Sequence, residues 1–189
     1  MNEKTDRNDA GRSGKTPTLL ALDTSTLLAS VAVTRGDETL SECESRVSTH
    51  SERLLPLIDD AIAKAGVSLE QIDALVCGAG PGSFTGLRIG YATAKGLCFA
   101  LGKPLATVSS LQAVAARACA LAGGKTTLVL AILDARKKEV YAGIYRWHER
   151  LPELVTPEVV LPPASLPALV ARAKSAVASA AAATAAATG

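Results

Sequence analysis

Thirteen residues constrain this chain more than any others: Gly78-Ala-Gly-Pro-Gly-Ser-Phe-Thr-Gly-Leu-Arg-Ile-Gly90, of which five are glycine and one is proline. They follow a strand-like run, Asp73-Ala-Leu-Val-Cys77, and lead into a helix-like one, Leu87 to Leu101. Glycine carries a high conformational entropy cost, so such a cluster marks a backbone that needs positive φ or a very close approach to something. A phosphate, a neighbouring strand and another protein all meet that description.

Around this segment the pattern is that of an α/β domain. Thr18-Leu-Leu-Ala-Leu-Asp23 reads as a strand ending in an acid, Thr24-Ser-Thr26 as a tight polar connection, and Ala29 to Thr34 as its alternating antiparallel partner. A turn at Arg35 to Glu38 leads to a third strand, Thr39 to Arg46. Ser51 can cap the next helix, whose Leu54, Leu55, Ile58, Ala61, Ile62 and Ala65 form a broad apolar stripe ending at Gly66. Pro56 is tolerable there if it lies near the first turn. The Asp73 strand, the glycine segment and its helix, a short strand Pro104 to Val108 and a helix Ser110 to Leu121 complete a β-β-β-α-β-α-β-α order.

The pattern then restarts. Leu128 to Asp134 is again an apolar strand ending in aspartate, Ala135 to Glu139 a polar connection, and Val140 to Tyr145 an alternating strand; Leu154 to Val160 can be a third strand and Ser165 to Ser175 a helix. A duplicated α/β unit with a cleft between its halves, the second half truncated, is the expected architecture. The expected organisation is a disordered tail at 1–17, a first subdomain at 18–109, a degenerate second at 110–175, and an alanine-rich low-complexity stretch at 176–189 that can be irregular helix or frayed tail.

Composition excludes several functions. The chain has 189 residues and a formal charge of only +2, with 3% aromatics, which gives no general case for a nucleic-acid surface or base-stacking platform. The four cysteines, Cys43, Cys77, Cys98 and Cys119, lack CxxC spacing and read as free buried thiols in a reducing compartment. No run approaches the roughly 20 apolar residues of a membrane helix. The polar N-terminus has no signal-peptide core, so a cytoplasmic location is expected. Gly14-Lys15-Thr16 resembles the end of a phosphate loop, but Asp9 stands where its first glycine belongs and no strand precedes it.

A strand–Asp–polar-turn–strand unit, present twice, resembles the phosphate-binding loops of the actin, Hsp70 and sugar-kinase superfamily. Asp23, Thr24 and Ser25, with Asp134 and Arg136, are the candidate nucleotide or phosphate residues; the aspartates can equally just satisfy turn amides. Leu20 to Thr26, Thr49 to Ile58, Gly80 to Gly90 and Asp134-Ala-Arg with Glu139-Val-Tyr141 together resemble the TsaB (YeaZ) family. The resemblance implies an actin-like, Hsp70-like (ribonuclease H-like) ATPase fold. It implies a subunit acting with TsaD and TsaE in threonylcarbamoyl transfer from threonylcarbamoyl-AMP to N6 of the adenosine beside the tRNA anticodon. It further implies a homodimer when alone, ATP or ADP at the complex interface, indirect contact with tRNA, and no membrane.

The TsaD-like paralogues carry an HxxxH pair shortly after the fifth strand, whereas Val108 to Ala115 here contains no histidine, and the chain's two histidines are His50 and His148. Without that pair the paralogue's metal-assisted transfer has no site, which points to a partner with no catalytic residue or metal of its own. The resemblance then implies a helical interface using Leu54, Leu55, Ile58 and Ile62 of one helix and Gly86, Arg88, Gly90 and Ala94 of the other. Small residues in rows let a second helix approach closely, and Ala92, Gly96 and Ala100 make another such row. The alternative is that the small residues pack on the chain's own sheet, and both can hold on different faces. A charged residue at Gly90 or Ala94 is then expected to abolish the heterodimer and leave the monomer folded. Arg53 also sits in a family-like motif, and His50 reads as a loop or cap residue. The rival functions are a small-molecule kinase or ATPase using Asp23 and Asp134, and a peptidase, for which no serine–histidine–acid set can be assembled.

Overall fold

The computed structural model describes residues 16–46, 50–123, 128–148 and 151–187. The expectations for residues 1–15 therefore lie outside the described residues.

Alternating burial makes the first sheet. In β1 (Thr18–Asp23) Thr18, Leu20 and Leu22 face inward, and in β2 (Leu28–Arg35) Ala29, Val31 and Val33 do so. β3 (Glu38–Arg46) completes an antiparallel meander; β4 (Ala74–Gly78) and β5 (Leu105–Val108) add in parallel, giving the order β3-β2-β1-β4-β5. Helix α1 (His50–Ala65) lays Leu54, Leu57, Ile58, Ala61 and Ile62 on β2 and β3. Helix α2 (Phe84–Leu101) packs against β4 and β1, beside α1. The apolar stripes of β1, β2, α1 and α2 thus close into one core, where each Å² of apolar surface taken from water contributes about 25 cal/mol.

Helix α3 (Ser110–Leu121) leaves that sheet and packs on a second one, with order β6-β7-β8: β6 (Val129–Arg136), β7 (Glu139–His148) and β8 (Leu151–Leu161). Leu111 and Ala115 of α3 meet Ala131 and Tyr145. Helix α4 (Leu166–Ala187) buries Leu169 and Ala173 against the other face. The repeat is visible as the same meander followed by a helix. The alanine-rich tract from Ala176 continues α4 as helix, consistent with alanine's propensity.

Three local expectations are corrected. Helix α2 starts at Phe84, not Leu87, because Ser83 caps it by accepting from the Gly86 amide at 3.3 Å. Helix α1 starts at His50, so Ser51 and His50 both lie within it. Pro56 is its seventh residue, in the second turn, where a proline leaves a carbonyl one turn back without its helical donor. No helix among the described residues is long and apolar enough to cross a membrane.

Candidate functional site

The glycine segment meets the loop after β1 of its own chain. A Cβ at Gly78 would overlap the Asp23 carboxylate, and one at Gly90 would overlap the Thr24 hydroxyl. At Gly82 a Cβ would come within 2.8 Å of the Ser25 carbonyl carbon. Three glycines therefore face three consecutive residues, and hydrogen bonds draw the two segments together. Thr24 donates from Oγ1 to the Gly86 carbonyl at 2.8 Å, and the Ser83 amide donates to the Ser25 carbonyl at 2.6 Å. Only Gly80, at φ 85°, needs the left-handed region within the segment.

This engagement consumes the groups proposed to hold a phosphate. Asp23 Oδ1 accepts from the Ser25 amide at 2.8 Å and from the Ser25 hydroxyl at 2.6 Å; Asp23 Oδ2 accepts from Ser110 Oγ at 2.6 Å. Thr24 and Ser25 are buried. In the first half, then, Asp23, Thr24 and Ser25 act as a latch between β1, α2 and α3, and their amides and hydroxyls do not form an open anion nest. The Cys77 thiol beside this latch is pushed up to about 11, first by burial and second by the Asp23 carboxylate.

The second half differs. Asp134 is exposed and accepts from the Arg136 amide at 2.8 Å. Arg136, Lys137 and Lys138 all have positive φ, at 63°, 50° and 66°. Lys137 and Lys138 form the two-residue connection of the β6–β7 hairpin, a position that normally selects asparagine and glycine. Arg136 and Asp134 line a cleft of about 1060 Å³ between the two sheets. Its opposite wall holds Ser83, Phe84, Thr85 and Arg46. Arg136 stands in a motif legible in the sequence, whereas no motif marks Arg46, and Phe84, 73% exposed at the start of α2, carries no signal of its own beyond the glycine segment.

For the interface residues the structure makes a correction. Leu54, Ile58 and Ile62 are in the core, and Gly86, Gly90 and Ala94 form the buried row of α2 with Cys98. A partner cannot touch them without opening the fold. A charge at Gly90 or Ala94 is consequently expected to unfold the monomer, contrary to the expectation above. Leu55 (54% exposed) and Arg88 do face solvent. The second small row, Ala92, Gly96 and Ala100, is exposed beside Phe99, which is 91% exposed. A Cβ on Gly96 would meet nothing within 4 Å. The two faces of α2 therefore do different things: one closes on the sheet, and the other is open, with Ala92, Gly96, Phe99 and Ala100 around Lys95 and with Arg88 stacked 5.4 Å from the Phe84 ring centroid at its start. Among the described residues no group of three or more potential metal ligands occurs, and His148 contacts Glu153 at 3.3 Å on the β7–β8 hairpin.

The family model described as TsaD: tRNA N6-adenosine threonylcarbamoyltransferase matches residues 44–187. A Haemophilus influenzae protein named tRNA threonylcarbamoyladenosine biosynthesis protein TsaB is 48% identical over 126 residues, covering 66% of this chain and 52% of that protein. The Escherichia coli protein of the same name is 39% identical over 143 residues, covering 72% and 61%. The chain thus spans between half and two thirds of the length of these relatives. The solved structure of YeaZ from Pseudomonas aeruginosa superposes with a TM-score of 0.72 at 42% identity, covering 78% of this chain and 68% of that one. Component A of Acidaminococcus fermentans (R)-2-hydroxyglutaryl-CoA dehydratase superposes at 0.51 with 13% identity, a likeness of fold alone. The fold is the actin-like α/β fold.

Proposed function

The chain belongs to the TsaB (YeaZ) family, and from that premise we propose that it is a non-catalytic subunit in forming threonylcarbamoyladenosine in tRNA. In this reading it binds a TsaD-like catalytic subunit, with a TsaE-like ATPase, and supports transfer of threonylcarbamoyl from its adenylate to N6 of the adenosine beside the anticodon. It pairs with itself when alone, and its place of work is the cytoplasm.

The observation that carries this reading is the outward face of α2. Gly96 is open, Phe99 is almost fully exposed, and Ala92 and Ala100 flank them without bulk. Leu55 of α1 is exposed as well. A helix pair of this kind admits another at short interaxial distance. The Thr24–Gly86 hydrogen bond and the close glycine contacts tie α2 to the end of β1, which lowers the cost of ordering the face on binding. A partner bound there favours whichever TsaD conformation fits it, and shifts that population. The site supports no chemistry of its own: Val108 to Ala115 lacks the paralogue's histidines.

A second reading, ATP or ADP in the interlobe cleft, has the cleft volume and its two arginines in favour. Against it stands the latched first loop. Co-expression with TsaD and TsaE, followed by size exclusion with and without ATP, tests the first reading. Co-elution with TsaD supports it and separate elution refutes it. ATP turnover by the isolated chain, lost on Asp134→Ala, would favour a kinase-like or ATPase use instead.

A further inference from the structure

We propose that the mouth of the interlobe cleft binds a single-stranded RNA segment directly, with the β6–β7 turn gripping its phosphates and Phe84 stacking a base. The choice of RNA among polyanions rests on the function proposed above; the geometry of the site does not.

The formal charge of +2 hides a local concentration. Arg136 lines the cleft with Arg46 on its facing wall, and Lys137 and Lys138 follow Arg136 directly, exposed at the hairpin tip. The acidic neighbours are Asp134, which is turned to the Arg136 amide, and Glu139, which closes the hairpin, so the rim keeps a net positive sign. Lys137 and Lys138 occupy left-handed positions that asparagine and glycine fill at lower cost, so the charges are held there against backbone preference. The aromatic element is on the same rim. Phe84 lines the cleft and is 73% exposed, with the Arg88 guanidinium over one face of its ring. A cationic track beside an exposed aromatic ring is the arrangement by which single-stranded nucleic acids are bound without sequence preference. Side chains from both lobes take part, so a bound strand would also bridge them.

Two variants of the full chain separate charge from fold. Lys137→Asn with Lys138→Gly removes two cations and gives the turn its preferred residues, so it should raise the thermal midpoint while weakening RNA binding. Phe84→Ala should weaken RNA without changing the salt dependence. The measurement is fluorescence anisotropy of a labelled anticodon-loop oligoribonucleotide across salt concentrations. Four phosphate contacts on a single strand give a log–log slope of about −2.8, or about a 50-fold loss between 50 and 200 mM salt; the turn variant should give about −1.4, a loss of about sevenfold. Competition by ATP at equal phosphate concentration should be weak. No binding by the native chain, an unchanged slope in the turn variant, or equal displacement by ATP or polyglutamate overturns the proposal. None of these outcomes depends on whether the α2 face binds TsaD, and failure of that interface leaves the RNA measurement intact.

Discussion

Gly90→Ala and Gly96→Ala are the same substitution on the same helix, and the structure predicts opposite signs for them. A methyl at Gly90 overlaps Thr24 Oγ1 and lies 3.5 Å from Leu22 Cδ1. Thr24 is 1% exposed, and its hydroxyl is committed to the Gly86 carbonyl at 2.8 Å. Accommodation requires breaking that bond or moving α2 off β1. Overpacking costs about 1–3 kcal/mol, the lost buried hydrogen bond about 1 kcal/mol more, and alanine's helix propensity returns about 1 kcal/mol. The expected result is a destabilisation of about 1–3 kcal/mol, or roughly 2–12 °C in Tm for a chain of this size. At Gly96 nothing lies within 4 Å, so only propensity acts. That variant should gain about 1 kcal/mol. Urea unfolding followed by far-ultraviolet circular dichroism gives both midpoints at constant slope. Thr24→Ala should suppress the Gly90→Ala penalty in a double-mutant cycle. Native stability in Gly90→Ala, or a loss in Gly96→Ala, would refute the assignment of faces.

Other consequences can be checked separately. Asp23→Ala leaves the Ser110 hydroxyl and the Ser25 amide without an acceptor and should cost about 3 kcal/mol, read as a lower denaturant midpoint; an unchanged midpoint removes the latch. Cys77, with its thiol held up to about 11 against an ordinary 9.0, should resist thiol reagents at pH 8 until the protein unfolds. Because its folded value is raised, the stability it contributes is complete below pH 9 and is lost as pH climbs towards 11, so alkaline unfolding should steepen in that window. Tyr145, buried and donating to Glu158, is raised as well, and Tyr145→Phe should cost about 1–2 kcal/mol without moving neutral-pH binding.

The strands, the helices and the repeat were legible because hydrophobic period survives in a single sequence: Leu20 and Leu22 alternate, Leu54 to Ile62 recur at helical spacing, and Asp23 and Asp134 end equivalent strands. What periodicity cannot give is rotation. It groups Gly86, Gly90 and Ala94 on one face but does not say whether that face meets the sheet or a partner, and both demand small residues. Thr24 decides it, through a contact 62 residues away in sequence that no local pattern encodes. A usable signal was present on the opposite face, where Phe99 stands beside Ala92 and Gly96; an aromatic among small residues is a surface with something to cover. Arg46 was silent for another reason. A single arginine at a strand end acquires meaning only when the second lobe brings Arg136 across from it.

Helix α2 closes on its own sheet with one face, and the other is the face we propose for a TsaD-like partner. Titration calorimetry of that partner against the native chain, Gly96→Glu and Phe99→Glu tests it most directly. Both variants should keep native circular dichroism and thermal midpoints while affinity falls by about a hundredfold or more, consistent with about 3 kcal/mol lost at a central interface position. Undiminished affinity in both folded variants would contradict it.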